Sequence, residues 1–183
     1  MKELLKKRNV AVGVTVVIMI LSTILGSGRS MDAAAYKVER YFIEGYGGYS
    51  IQRDLDTRTG LAKNLLVIAE RNLYSGDETI LELQDAIAQM ETADTVKEKA
   101  AANQQLTAAA EHMLLILEEQ PLYKGDHKYC RQIRTDLASC NQTISHDPYN
   151  EMATEYNEKV QGRFPASVLK LVNGAEELET FNC

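Results

Sequence analysis

Residues Asp147–Pro165 read DPYNEMATEYNEKVQGRFP. Two Tyr-Asn pairs, Tyr149-Asn150 and Tyr156-Asn157, stand seven residues apart, and Phe164-Pro165 follows. Residues seven apart return to nearly the same side of an α-helix. The repeat therefore predicts a helix that buries both tyrosine rings in one seam, along a stripe of Tyr149, Met152, Tyr156 and Val160. Asn150 and Asn157 fall on the adjacent face, where their amides can bond polar groups of a neighbouring helix. Asp147-Pro148 reads as a fresh helix start, with aspartate as cap and proline in the first turn. Pro165 marks the exit.

The same three-four spacing runs upstream. Ile51, Leu55, Ala62, Leu65, Ala69 and Leu73 form one stripe. Ile80, Leu83, Ile87 and Met90 form the next, opened by Asp77 as N-cap. The stripe thins to alanines around residues 91–105 and returns at Leu106, Ala110, Met113 and Leu117. That pattern allows one helix of about forty residues or two with a joint near Thr95. Pro121 ends the element. Cys130, Ile133, Leu137, Cys140 and Ile144 make a further stripe, so both cysteines read as buried thiols acting as small hydrophobes. The fold expected is all-α: an N-terminal transmembrane helix followed by an antiparallel bundle of long helices.

The first fifty residues differ in kind. Val10 to Leu25 carries no charge, and Asn9 to Gly28 reaches the roughly 20 residues that span a bilayer as a helix. The run exceeds the h-region of about 7–15 residues in a cleaved signal peptide, which favours an uncleaved anchor although Gly26-Ser27-Gly28 is small enough for cleavage. The chain divides into a basic segment at 1–8, an anchor at 9–28, a juxtamembrane helix and Gly-rich break at 29–50, and a helical bundle at 51–183. The juxtamembrane helix is expected from about Met31 to Glu44. Lys2, Lys6, Lys7 and Arg8 precede the run, against Arg29, Lys37 and Arg40 after it. By the positive-inside rule the chain is single-pass in the plasma membrane with its body outside the cytoplasm. Cys183 is then expected to meet an impermeant thiol reagent.

Without residues 1–8, 16 basic and 25 acidic residues remain, a balance of −9 that repels phosphate backbones; no nucleic-acid partner is expected. The three cysteines include no CxxC pair. Each histidine has its acidic neighbour adjacent in sequence (Glu111-His112, Asp126-His127, His146-Asp147), and adjacent residues do not share a helical face. The Glu-x-x-His pairs of bundle metal sites, and the Walker, GxSxG and HExxH motifs, do not occur in the sequence. The expectation is a protein that is not an enzyme and takes no cofactor or metal.

Ile51, Leu55, Arg58, Leu61, Asn64 and Leu65 fall at the spacing of a known block, Gln120-Pro121-Leu122 is similar to a Tyr-Pro-x-Leu turn, and the two Tyr-Asn pairs with Phe164-Pro165 complete the set. On these residues the chain resembles the LemA family of bacterial membrane-anchored helical proteins. It differs in having Gly60 and Lys63 where that family usually has aspartate and proline, Gln120 before the turn proline, and Pro148 within what is normally one helix. The resemblance implies an anchored antiparallel bundle and no particular reaction. It singles out Arg58, Asn64, Pro121, Tyr149, Asn150, Tyr156, Asn157, Phe164 and Pro165 as structural or interaction positions. Arg58 is expected to pair with a carboxylate, and the asparagines to bond across the bundle. The function expected is a non-enzymatic scaffold or interaction module with an unknown protein partner; the alternative is a small-ligand sensor built on the bundle.

Overall fold

A computed structural model of the chain describes residues 2–45, 47–74, 76–162, 174 and 176–182. Six helices account for most of them: α1 (Lys2–Glu44), α2 (Ile51–Asn72), α3 (Glu78–Thr92), α4 (Val96–Glu118), α5 (Asp126–Ser145) and α6 (Tyr149–Gly162). No strand occurs among the described residues. Two compact units divide the chain. One holds Met1–Glu39 with Glu151–Leu178, the other Arg40–Asn150 with Glu179–Cys183.

The larger unit contains α2 to α5. The helix α2 packs on α3, α4 and α5, and α4 also packs on α3 and α5. Consecutive helices in contact across short turns run antiparallel. The upstream stripes are buried, from Ile51, Leu55, Ala62, Leu65 and Ala69 on α2 to Cys130, Ile133, Leu137, Cys140 and Ile144 on α5; Leu73, expected on the α2 stripe, lies past the helix end and is only half-buried. Burial pushes the thiols of both cysteines above their ordinary range, as expected of packed rather than reactive sulfur.

The helix boundaries follow from local chemistry. Ser50 caps α2 by accepting the Arg53 N–H. Asp77 caps α3 through the Thr79 N–H at 3.0 Å. The alanine-rich stretch resolves into two helices. Thr95 accepts the Glu98 N–H, and the Glu98 carboxylate accepts the N–H groups of Thr95 and Asp94, a reciprocal capping box that starts α4. Asp147 accepts the Tyr149 N–H at 2.9 Å, so α6 starts afresh after Pro148. The break after α1 depends on Gly45: at φ +61°, an added Cβ would lie 1.5 Å from the Tyr49 carbonyl oxygen.

One expectation is corrected. The helix beginning near Met31 is not separate; α1 is continuous from Lys2 to Glu44. Gly26 and Gly28 cost about 1 kcal/mol each relative to alanine, but they do not remove a hydrogen bond as proline would. The stretch Val10–Glu44 is long and apolar enough to cross a membrane.

Candidate functional site

The stripe on α6 is Tyr149, Ala153, Tyr156 and Val160. Met152, expected on it, is only half-buried because Ala153 takes the inward position. Tyr149 is 1% exposed and Tyr156 7%. In the smaller unit, burial and then the carboxylates of Asp32 and Glu39 push the Tyr156 phenol up. In the larger unit, the Tyr149 ring meets Phe42 edge-on with centroids 5.1 Å apart, and its hydroxyl donates to the Glu179 carbonyl at 2.8 Å.

Both asparagines of the repeat act alike. The Asn150 amide donates to the Phe181 carbonyl at 2.6 Å, and its Oδ1 accepts the Phe181 N–H at 2.7 Å. The Asn157 amide donates to the Leu178 carbonyl at 2.9 Å, and its Oδ1 accepts the Leu178 N–H at 2.8 Å. Each side-chain amide thus satisfies both main-chain groups of one residue, as a neighbouring strand would. Their partner is the non-helical segment 176–182, where a helix was expected. Beyond its first turn a helix has no spare main-chain donor to offer, because those N–H groups are already bonded within it.

The segment also grips the larger unit elsewhere. Glu179 Oε2 accepts the Lys97 N–H in the first turn of α4 at 2.8 Å, where the helix dipole favours a carboxylate. Gln104 donates to the Asn182 carbonyl at 3.0 Å. Phe181 is 2% exposed, with its ring 5.9 Å from that of Phe42, over which Lys99 also lies. The sequence reading missed Phe181. Its only signal was one aromatic in an otherwise acidic stretch, which has no periodicity to interpret.

Arg58 is 1% exposed and ties three helices together. From α2 it donates to the Thr107 hydroxyl on α4 and, on α5, to the Leu137 carbonyl at 3.1 Å and the Asn141 side-chain oxygen. These are neutral oxygens, where the sequence reading expected a carboxylate. Asp54, one turn earlier, feels the Arg58 charge, but burial and the nearby Asp147 charge together push its pKa up. Beside this network, Asn103, Gln104, Thr107, Glu111, Asn141 and Gln142 line a groove of about 650 Å³ between α4 and α5.

Asn64 is exposed and lines a smaller groove between α2 and α5 with Leu61, Val67, Tyr129 and Ile133. Pro121 is exposed in the α4–α5 connection. That connection is anchored by a network absent from the expectations: Asn72 accepts the Tyr123 N–H, and the buried Asp126 accepts from Asn72 at 2.8 Å and Arg71 at 2.9 Å. Phe164, Pro165 and Cys183 lie outside the described residues. Among the described residues, no group of three His, Cys, Asp or Glu side chains converges as a metal site would require.

The family model for the LemA family matches residues 49–183. No curated protein matches the chain.

Proposed function

The chain belongs to the LemA family, and we propose that it is a non-enzymatic, membrane-tethered helical module serving as a scaffold or interaction partner at the bacterial plasma membrane. One contrast supports this reading. In the body, nearly all residues of the apolar stripes are buried, whereas Val10, Val14, Ile18, Leu21 and Leu25 on α1 all stand at least half exposed. A bilayer matches such a surface, and a helix satisfies its own backbone there. Of the polar residues of the family pattern, Arg58, Asn150 and Asn157 serve packing and Asn64 is exposed; none of these is a general acid, base or nucleophile.

Alkaline carbonate extraction tests the tether. The parent should remain with the membrane, and a chain carrying Ile18→Arg and Leu21→Arg should be released; release of the parent would overturn the anchor. Photo-crosslinking from position 129, beside the exposed Asn64, tests the scaffold role in native membranes. It should capture a recurring protein, and Asn64→Arg should abolish that capture. Capture unaffected by Asn64→Arg would move the interaction surface elsewhere.

The groove between α4 and α5, with Asn103, Thr107, Asn141 and Gln142 set in a largely apolar lining, favours a second reading, the small-ligand sensor. A small polar compound that raises the melting temperature of the parent, but not of Gln142→Leu, would support it.

A further inference from the structure

The contacts of the segment Glu179–Asn182 in the larger unit have a chemistry that is not specific to a single molecule. Asn150 engages both main-chain groups of Phe181, and Tyr149 and Gln104 engage carbonyl oxygens. Four of the five hydrogen bonds thus reach main chain, which every residue carries. Two features add selectivity. The first turn of α4 takes the Glu179 carboxylate, and the ring of Phe42, itself 3% exposed, packs against Phe181. Main-chain bonds with a pocket for an alternate side chain are how extended peptides are recognised. Such a surface would act as a receptor for a Glu-x-Phe peptide; here it holds the chain's own segment.

We propose that this receptor also accepts the Glu179–Phe181 segment of a second copy, so that neighbouring copies are linked by exchanging it. Each copy carries both halves, the receptor on Phe42, α4 and the start of α6, and the peptide at 179–181. The segment's own sequence is the one the structure shows satisfying every contact. A contact between two different surfaces of the same chain is heterologous and propagates from copy to copy, which suits a scaffold. Within one chain the segment competes at an effective concentration in the millimolar range, so exchange needs crowded copies, as tethering to one membrane supplies. The inference deepens the scaffold reading and rests on it for its biological use.

The test uses full-length chains in detergent and a fluorescent synthetic peptide of residues 176–183. In Phe181→Ala the chain's own segment is weakened, so the peptide should bind this chain at least tenfold more tightly than it binds the parent. Adding Asn150→Leu to that chain should abolish binding. Mixing Phe181→Ala with Asn150→Leu, one a receptor and the other a donor, should give a heterodimer that neither forms alone. No peptide binding to a helical Phe181→Ala chain, equal binding to parent and variant, or no heterodimer would each overturn the proposal. If Phe181→Ala loses helicity, Glu179→Gln, which leaves the apolar contacts in place, takes its role under the same criteria. Carbonate extraction and crosslinking from position 129 do not depend on this segment, so failure here leaves the anchored-module reading standing.

Discussion

Tyr156 is the residue on which the sequence argument places most weight. Its burial predicts that Tyr156→Ala costs about 3–5 kcal/mol, as aromatic truncation in a core does. Glu158, exposed on the opposite face, should tolerate Glu158→Ala within about 0.5 kcal/mol. Thermal unfolding of the two variants checks the contrast; equal melting would make Tyr156 a surface recognition residue. Asp147 offers a test in pH. Burial raises its pKa more than the bond from the Tyr149 N–H lowers it. The folded state therefore holds the proton more tightly than the unfolded state, and stability is lost as pH rises through the folded pKa. Asp147→Asn keeps the cap acceptor without the charge. It should melt higher than the parent at neutral pH, with the difference closing at acid pH; a constant difference would show that the charge is immaterial.

Among the elements, α3 and α4 are divided by caps rather than by hydrophobicity. The stripe alone left one helix or two open, because alanines fit either. The Thr95–Glu98 box decides it, since satisfying the first N–H groups of a new helix offsets the interruption. Thr95→Ala should cost about 1 kcal/mol and increase hydrogen exchange at the start of α4; unchanged protection there would mean that packing alone sets the boundary. The opposite case is α1, where a separate helix was expected from about Met31 and the helix instead runs on unbroken. Glycine makes a helix more costly without forbidding it, and no proline occurs before Gly45. On α2, Arg58 stands between Leu55 and Ala62 in the buried register, and its expected internal place agrees with its burial.

For the whole molecule, the proposed anchor carries a prediction of topology. The positive-inside expectation puts the body outside the cytoplasm. Tyr74 is 83% exposed, and the thiols of Cys130 and Cys140 are buried. A Tyr74→Cys, Cys183→Ser chain should therefore be labelled by an impermeant maleimide in intact cells. Labelling only after lysis would place the body in the cytoplasm.

The sequence by itself determined that the chain is helical, where most of its apolar faces lie, that Asp77 and Asp147 cap helices, and that one segment suits a bilayer. All of these are local: periods of three and four, a cap two residues from its partner, a run of about twenty apolar residues. The tertiary structure alone decided what the polar residues meet. Arg58 finds Asn141 across 83 positions, Asn150 finds Phe181 across 31, and Asp126 finds Arg71 across 55. Periodicity reports which side of a helix faces inward. It carries no information about which distant group waits there, because that follows from how separate helices pack and from where a segment without any period comes to rest.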